Sequence, residues 1–434
     1  MKRMAIFLIL LFSLNLSSEV LRKRVLGVTG IYGCKERDGL TFVSADSDIN
    51  GDGFKDIIAV DSGHYCLGCI SLYILYGSSS RLPEEFDICE IPVPYTVIYG
   101  VYIVEPRGSS YKPSITTGDF NGDGFDDIVI GNTITDVIPD SLKTFIIYGS
   151  PNLPEEIDLS PPPTSLKISI IYTTNLEWRT GLGANVRSAD INNDGYDDLI
   201  TTEFPYEPRG VEEKLYIFYG GPDGFPNIDV SNPPSNTEII KGAQVDDRFS
   251  MPWVFDINED CLKDLIFILY WDGFNNDREG ANMLFILYNT PSGFPEAIDT
   301  DNFPENSTLI YGAKEGDFLG DEILFEDINN DNLSDLIIAT ASADGPNNER
   351  RGAGELWILY GSKDGFPKII DLLYPPENST HIYGSDFYES FGSFASLGDR
   401  NGDGKNDLLV AANYCECPGK LWLIYGPLDN LPRE

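Results

Sequence analysis

One nine-residue acidic motif occurs six times in this chain, and its residue types suit the binding of a metal ion. Each copy has Asp at its first, fifth and ninth positions and Asn at its third. Ca²⁺ prefers such oxygen ligands and takes about six to eight of them. Three carboxylates held this closely repel one another unless a cation lies between them. We call the copies acidic loops 1 to 6; they run over 48–56, 119–127, 190–198, 256–264, 327–335 and 399–407.

The predicted calcium ligands of each loop are the side chains at positions 1, 3, 5 and 9 and the backbone carbonyl at position 7. Glycine at position 6 permits the left-handed turn that lets these groups converge. Loop 4 has Cys261 at that position and loop 5 has Asn332. Because cysteine adopts the left-handed region less readily than asparagine, we expect loop 4 to bind Ca²⁺ least well. The predicted ligands are Asp48, Asn50, Asp52, Phe54 and Asp56; Asp119, Asn121, Asp123, Phe125 and Asp127; Asp190, Asn192, Asp194, Tyr196 and Asp198; Asp256, Asn258, Asp260, Leu262 and Asp264; Asp327, Asn329, Asp331, Leu333 and Asp335; Asp399, Asn401, Asp403, Lys405 and Asp407.

The two alternatives to a calcium loop between strands are a plain polar turn and an EF-hand. Asp, Asn and Gly are also typical of a polar turn between strands, but such a turn does not require the third aspartate. An EF-hand needs Glu at position 12 and flanking helices, whereas loops 1, 2 and 6 have Ala59, Ile130 and Val410 there. The segments after the loops are short and rich in β-branched residues, which predicts strands. The sequence therefore favours calcium loops that connect β-strands.

The spacing of the acidic loops indicates a repeated supersecondary unit. Their starts are separated by 71, 71, 66, 71 and 72 residues. Each unit is predicted to hold four antiparallel strands: one before the loop, one after it, a third ending in Tyr-Gly or Tyr-Asn, and a fourth after a proline-rich connection. Such units are typical of propeller blades. The prediction is an all-β fold, a six-bladed β-propeller forming one domain over 19–434.

The two ends of the chain predict how the propeller ring closes. The segment 26–33 matches a fourth strand, whereas the sixth unit stops after its third strand, at 420–426. We expect the N-terminal strand to pair with the last blade and complete it. That pairing would remove two open sheet edges.

The repeat resembles the FG-GAP repeat, the calcium-bearing blade of integrin α-subunit propellers. The resemblance is carried by Phe391-Gly392, by the Asp-x-Asn-x-Asp-Gly-x-x-Asp loops and by the Asp-Leu-(Leu/Ile)-(Val/Ile) strands after them. This sequence departs from the family pattern because all six of its loops are acidic, whereas integrin α propellers have seven blades and only some acidic loops. The Gly-Ala-Pro part is also degraded, for example to Gly131-Asn132. The resemblance implies an extracellular recognition module, but it names no ligand.

The N-terminus and the net charge bear on where the protein acts. Residues 1–18 are typical of a secretory signal, with a basic start, an apolar stretch over 5–12 and cleavage near Ser18. No later segment approaches the roughly 20 apolar residues of a transmembrane helix. We therefore expect a secreted or cell-surface protein. A formal net charge of −39 makes nucleic acid and anionic membranes poor partners.

The cysteines leave two hypotheses open. Disulfides are permitted in an exported protein, and one of them could join blades 1 and 6. The alternative is a four-cysteine metal site formed by Cys66, Cys69, Cys415 and Cys417. The pairing does not follow from sequence. The seven cysteines are Cys34, Cys66, Cys69, Cys89, Cys261, Cys415 and Cys417.

The sequence contains no recognisable catalytic motif, so we predict that the chain is not an enzyme. Its two histidines, His64 and His381, lie far apart in the repeat. It has no Gly-x-Ser-x-Gly segment and no phosphate-binding glycine loop. Paired carboxylates for glycoside hydrolysis stay possible because aspartate is abundant.

Three classes of function follow from this pattern. The first is recognition of an extracellular protein or a glycan through loops on a rigid scaffold. The second is self-assembly into a surface layer or filament, and the third is a polysaccharide-active enzyme or lectin. The aromatic residues that we select as candidate partner contacts are Tyr102, Tyr111, Trp178, Tyr206, Trp271 and Phe274.

Overall fold

The computed structural model is all-β, and the residues that it describes form strands and no α-helix. This confirms the predicted fold class at the level of all-β sheets. The described residues are 30–32, 39–62, 69–80, 82–83, 85–88, 90–103, 114–135, 138–173, 179–207, 214–242, 252–269, 278–299, 302–346, 349–362, 365–399, 401, 403–412 and 420–426.

The strands recur in one order along the chain: a first strand, an acidic loop, a second and a third strand, a short strand and a fourth strand. One short strand, β1 (Gly30–Tyr32), precedes the first repeat, and the sixth repeat is described up to its third strand. The repeats comprise β2 (Gly39–Ser47), β3 (Asp56–Ser62), β4 (Cys69–Leu75), β5 (Glu85–Asp87) and β6 (Tyr95–Ile103); β7 (Ile115–Gly118), β8 (Asp127–Thr135), β9 (Ile138–Ile147), β10 (Glu156–Asp158) and β11 (Ile168–Tyr172); β12 (Arg179–Ala189), β13 (Asp198–Glu207), β14 (Lys214–Phe218), β15 (Ile228–Asp229) and β16 (Thr237–Gly242); β17 (Trp253–Phe255), β18 (Asp264–Leu269), β19 (Met283–Leu287), β20 (Ala297–Ile298) and β21 (Ser307–Tyr311); β22 (Glu322–Glu326), β23 (Asp335–Thr340), β24 (Glu355–Leu359), β25 (Ile369–Asp371) and β26 (Ser379–Tyr383); and β27 (Phe391–Gly398), β28 (Asp407–Ala412) and β29 (Lys420–Ile424).

In the first five repeats, the first, second, third and fourth strands pair side by side and antiparallel, as predicted; in the sixth, the three described strands do so. The third repeat shows the order β12-β13-β14-β16, and the fifth shows β22-β23-β24-β26. The sheets of the first two repeats are joined into one ten-stranded sheet by a short pairing of β6 with β8. In every repeat, the second strand begins at the ninth residue of the acidic loop. This confirms that these loops connect strands rather than helices.

The short strand in the proline-rich connection corrects the prediction of purely antiparallel, four-stranded blades. It pairs in parallel with the fourth strand of the preceding repeat: β10 with β6, β15 with β11, β20 with β16 and β25 with β21. Strand β5 pairs in the same way with β1, so β1 behaves as a fourth strand. Two or three residues flanked by proline are too few to show an alternating pattern, and the sequence therefore did not predict these strands.

The described residues fall into two compact units, and each has its own cores. The first unit contains the described residues up to 242 together with Glu296–Ile298, and the second contains the rest. In the first unit, Ile128 and Ile130 of β8 pack against the sheet of the first repeat, whereas Val129 packs against that of the third. In the second unit, alternate residues of β23 likewise enter two different cores. Both faces of these sheets are buried, which explains why the second strands are continuous apolar runs.

Neighbouring acidic loops in the first unit also pack through an aromatic ring and a glycine. A Cβ added to Gly51 would lie 2.3 Å from Cε1 of Phe125, and one added to Gly122 would lie 2.5 Å from Cε1 of Tyr196. Both glycines have positive φ, 70° and 68°. The fourth position of these two loops therefore needs glycine both for its backbone conformation and for the ring that covers it.

Replacing Gly122 by alanine tests this packing. We expect Gly122→Ala to lower the free energy of unfolding by about 1–3 kcal/mol, because it combines a strained φ with a clash against Tyr196. Urea unfolding followed by circular dichroism measures the change. Gly221→Ala is the control, since a Cβ there meets nothing within 4 Å and should change the free energy by less than about 0.5 kcal/mol. Equal effects of the two variants would contradict the packing argument.

Candidate metal centre

The ninth aspartate of every acidic loop is fully buried and links three segments of its repeat. Asp56, Asp127, Asp198, Asp264, Asp335 and Asp407 are all 0% exposed. In loop 2, Asp127 Oδ2 accepts a hydrogen bond from the Phe120 N–H at 3.2 Å, and Oδ1 accepts one from the Gly149 N–H at 2.8 Å. The Oδ1 bond recurs in all six repeats, always from the residue that follows the tyrosine after the third strand. This aspartate therefore ties the loop and its second strand to the end of the third strand.

The other loop side chains fold back onto the loop backbone. In loop 1, Asp48 accepts hydrogen bonds from the N–H groups of Asp52 (3.1 Å) and Gly53 (2.8 Å). Asp52 Oδ1 accepts one from the Phe54 N–H at 2.9 Å, and Asn50 Nδ2 donates to Asp52 Oδ2 at 3.1 Å. The corresponding bonds are present in the other five loops. The predicted ligands of positions 1, 3 and 5 therefore lie together in each loop.

Position 6 adopts the left-handed conformation whatever its residue type. Its φ is 84° at Gly53, 71° at Cys261 and 66° at Asn332. Loop 4 thus has the same backbone turn and the same internal hydrogen bonds as the glycine-containing loops. The weaker binding of Ca²⁺ by loop 4 stays a prediction, now based on the strain of a left-handed cysteine.

Burial makes the ninth aspartate costly to ionise in five of the six loops. Burial, together with the charges of the first and fifth aspartates, raises the pKa of Asp127 to about 8 and that of Asp198 to about 7, although backbone hydrogen bonds lower both. The same causes raise the pKa of Asp264 to about 7 and those of Asp56 and Asp335 to about 6. A divalent cation beside these carboxylates would add positive charge there and favour their ionised form.

The donor chemistry of the loops fits Ca²⁺, although the described residues contain no preformed cluster of three or more Asp, Glu, His or Cys side chains able to hold a metal ion. Each carboxylate oxygen that accepts one N–H keeps a second lone pair for a cation. All of the predicted ligand atoms are oxygens, as Ca²⁺ requires. Binding would need the side chains at positions 1, 5 and 9 to turn toward a common point.

Consecutive acidic loops are also joined through the eighth loop position. In loop 2, the Asp126 carboxylate accepts a hydrogen bond from the Asp48 N–H at 2.6 Å, and the Asp126 N–H donates to the Asp48 carbonyl at 3.0 Å. Asp197 of loop 3 makes the same pair of bonds to Asp119. Asn406 of loop 6 donates to the Asp327 carbonyl of loop 5 at 3.0 Å. A change in one loop is therefore transmitted directly to the start of the preceding one.

Several sequence-based candidates lie outside the described residues. They are Tyr111, Trp178, Trp271, Phe274 and His64, together with Cys34, Cys66, Cys89, Cys415 and Cys417. Tyr102 and Tyr206 lie in β6 and β13, and Cys69 begins β4. Cys261 is an exposed free thiol. Within the described part of the chain, no helix has the length and apolar character needed to cross a bilayer.

A buried polar cluster in the fifth repeat escaped the sequence-based reasoning. Glu355, only 1% exposed, accepts a hydrogen bond from Lys314 Nζ at 3.3 Å and lies 2.9 Å from His381 Nε2. The His381 ring stacks on Trp357 with a centroid distance of 3.4 Å. Burial lowers the pKa of His381, so the ring is neutral at pH 7 and the ion pair is that of Lys314 with Glu355. The signal in the sequence is a glutamate opening an otherwise apolar third strand.

Comparison with known proteins places these repeats beside two groups. The family model of the FG-GAP repeat matches residues 113–135, which contain acidic loop 2. Integrin alpha pat-2 of Caenorhabditis elegans is 25% identical over 224 residues, which cover 49% of this chain and 16% of that protein.

The second group carries the name phosphatidylinositol-glycan-specific phospholipase D. The protein of Dictyostelium discoideum is 24% identical over 375 residues, which cover 81% of this chain and 37% of the relative. The protein of Bos taurus is 28% identical over 190 residues, or 43% of this chain and 21% of the relative. The chain thus spans well under half the length of these relatives. The family match shows an FG-GAP repeat at residues 113–135, and the integrin relatives show that the chain resembles integrin α subunits.

Proposed function

We propose that this chain is a secreted or cell-surface recognition module, a six-bladed β-propeller that binds Ca²⁺ in its acidic loops and a protein or glycan partner through other loops. The observation that carries the proposal is the acidic loop itself, repeated six times with one hydrogen-bond pattern between strands of an FG-GAP-type repeat. The similarity to an integrin α subunit supports an adhesion-type role.

Ca²⁺ would be structural in this protein. The side chains at positions 1, 3, 5 and 9 and the carbonyl at position 7 would hold it, and the ion would supply positive charge beside the buried ninth aspartate. At millimolar Ca²⁺ and a Kd of about 10⁻⁴–10⁻³ M, each site adds about 0.4–1.4 kcal/mol. Six sites add roughly 2–8 kcal/mol, which is comparable to the net stability of a typical protein.

Two observations support a closed ring of six blades. In the last sheet, Leu421, Trp422 and Leu423 of β29 are each 38–40% exposed, as expected of a strand that awaits a neighbour. The second observation is a pairing in the sequence. Where the fourth position of a loop is glycine, the seventh position of the next loop is aromatic, as in Gly51 with Phe125 and Gly122 with Tyr196. Where the fourth position is not glycine, the seventh position of the next loop is not aromatic: Asn193 is followed by Leu262, Glu259 by Leu333 and Asn330 by Lys405.

The same rule joins the last loop to the first. Loop 6 has Gly402 at its fourth position, and loop 1 has Phe54 at its seventh. The rule is satisfied throughout only if loop 1 follows loop 6 around a ring. We therefore propose that β1 acts as the fourth strand of the last blade.

A second candidate function is recognition of a phosphatidylinositol glycan. It is favoured by the relative whose match covers 81% of this chain and whose name specifies that substrate. We expect binding without hydrolysis, because no catalytic motif was found in the sequence. Incubation of the chain with a glycan-anchored reporter protein, followed by phase partitioning, measures cleavage, and co-sedimentation with reporter-bearing vesicles measures binding. Release of the reporter from its anchor would show that the chain is an enzyme.

Removal of Ca²⁺ is the first test of the structural sites. We expect excess chelator to lower the melting temperature by roughly 3–10 °C, since six site energies are lost together. Metal analysis after dialysis should give one ion fewer in Asp123→Asn, which changes a predicted ligand of loop 2. Asp223→Asn is the control, because Asp223 is an exposed aspartate outside the loops. A shift of only a degree or two, or an unchanged metal content, would contradict filled structural sites.

Ring closure is tested by the side chain at position 7 of loop 1. Phe54 is 41% exposed, so its contribution to stability has to be measured. We expect Phe54→Ala to lower the free energy of unfolding by about 1–3 kcal/mol, as Phe125→Ala should, because in a closed ring of blades the Phe54 side chain would cover a glycine as that of Phe125 does. Lys405→Ala is the control, since loop 5 has Asn330 at the paired position. Urea unfolding that does not distinguish Phe54→Ala from Lys405→Ala would argue against closure.

A further inference from the structure

The described residues contain three sequences of the form Asn-x-Ser/Thr, which is the acceptor pattern of N-linked glycosylation. They are Asn306-Ser307-Thr308, Asn332-Leu333-Ser334 and Asn378-Ser379-Thr380. The pattern pairs an asparagine amide with a hydroxyl two residues later, so a folded chain can be modified only where both groups are accessible. The three sequences differ in how the fold uses these two groups.

The first and third sequences occupy equivalent positions before the fourth strands of the fourth and fifth repeats, and the fold uses their asparagines. Asn306 Nδ2 donates a hydrogen bond to the Tyr288 carbonyl at 2.6 Å, and Asn378 Nδ2 donates to the Tyr360 carbonyl at 3.3 Å. In each pair the tyrosine N–H donates back to the asparagine carbonyl. These asparagines therefore fasten the start of the fourth strand to the end of the third.

The hydroxyls of the same two sequences are buried. Thr308 is 0% exposed and Thr380 is 6% exposed. The Thr308 hydroxyl lies 3.1 Å from that of Tyr288, and the Thr380 hydroxyl lies 2.9 Å from that of Tyr360. The folded chain therefore presents neither threonine to a transferase, although Asn378 itself is exposed.

The second sequence lies in acidic loop 5, at a position from which a side chain points away from the protein. Asn332 is exposed and stands at the sixth loop position with a φ of 66°. Four other loops have glycine there, and a Cβ added to Gly53, Gly124, Gly195 or Gly404 would meet no atom within 4 Å. Because loop 5 has the same left-handed turn as these loops, a group attached to the Asn332 amide extends into open space.

The polar side chains of this second sequence have no role in holding the described fold together. The Asn332 backbone N–H donates to Asp327 Oδ2 at 2.9 Å, but neither the Asn332 amide nor the Ser334 hydroxyl makes a hydrogen bond to a described residue. Ser334 is half-buried. The Asn332 side chain is not among the predicted calcium ligands of loop 5, so a sugar on it leaves those ligands unchanged.

We propose that Asn332 is a site of N-linked glycosylation, whereas Asn306 and Asn378 are structural and stay unmodified. The inference rests on the proposed export of the chain, because this modification is found on surface loops of secreted proteins. In the transfer, Asn332 Nδ2 forms a bond to the anomeric carbon of a lipid-linked oligosaccharide phosphate. The bond from that carbon to the phosphate oxygen breaks, the phosphate keeps the electron pair, and the amide loses a proton.

A glycan on Asn332 also restricts where a partner can bind. A linked oligosaccharide is bulky and hydrated, so it covers the surface around acidic loop 5 and keeps another protein from packing closely there. Partner binding is thereby directed to surfaces other than acidic loop 5, in agreement with the proposed use of other loops.

Peptide mapping of the native chain by mass spectrometry tests the site directly. The chain is isolated from its source organism, separately from the culture medium, the cell envelope and the cell interior. We expect a glycan mass on the peptide that contains Asn332 and none on those that contain Asn306 and Asn378. An Asn332 peptide found only without sugar, or sugar at the other two asparagines instead, would overturn the proposal. The fraction that contains the chain tests export separately, so an exported but unmodified chain overturns the glycosylation site alone.

Transfer in vitro to the full-length folded chain tests the role of the acceptor sequence. The chain is produced in a host without N-glycosylation and incubated with an oligosaccharyl transferase and a lipid-linked oligosaccharide. We expect one added glycan, which is lost in Ser334→Ala and kept in Ser334→Thr. Asn332→Gly should also lose it and should leave the melting temperature within about 2 °C, because it installs the residue of four other loops. Asn378→Gln is the matched control and should still accept one glycan.

Acceptor peptides separate the effect of folding from that of sequence. Peptides of residues 303–311 and 375–383 should accept the glycan, since their threonines are no longer buried, whereas Asn306 and Asn378 of the folded chain should not. Modification of these two asparagines in the folded chain as fast as Asn332 would contradict the proposal. So would a folded chain that accepts no glycan under conditions in which the peptides do.

Discussion

The structure depends on one buried carboxyl per repeat. The ninth aspartate of each acidic loop is the first residue of the second strand and accepts an N–H from the end of the third strand; in loops 1 to 5 it also accepts an N–H from the loop. A buried carboxylate that makes these bonds fixes where the loop ends, where the strand begins and how the third strand is placed. Asp127 and Asp335 do this in different units with nearly the same distances, so the repeat is defined by a polar contact as much as by its apolar strands.

The carboxyl group of the ninth aspartate can accept these hydrogen bonds and bind a cation at the same time. Each oxygen of the ninth aspartate has two lone pairs, and the backbone uses one of them. The N–H groups lower the pKa of the carboxyl, but burial outweighs them in Asp56 and Asp127. The hydrogen bonds therefore do not fully offset the cost of ionising this buried carboxyl group, and a deficit of positive charge remains beside it. This deficit is the physical reason to expect Ca²⁺ there, and it is independent of the likeness to integrin α repeats.

The sequence predicted those features that repeat with a strong local signal. The acidic loops, the strands that begin at their ninth residues and strands such as Phe391–Gly398 follow from residue type and periodicity. The short strands such as Glu156–Asp158 were missed, because their pairing depends on a neighbouring repeat and not on their own pattern. The hydrogen bond from Gly149 to Asp127 was missed for the same reason: it joins residues 22 positions apart. The polar cluster around Glu355 occurs in one repeat and has no periodicity to reveal it.

Arg278 in the fourth repeat shows how a strongly acidic protein can still bind a carboxylate. A net charge of −39 repels anions, but solvent and salt largely screen that repulsion at distances beyond about 8–10 Å. At contact distance the local partner decides the outcome, and Arg278, itself buried, binds Asp371 through two hydrogen bonds. A fixed guanidinium loses little side-chain freedom when it binds.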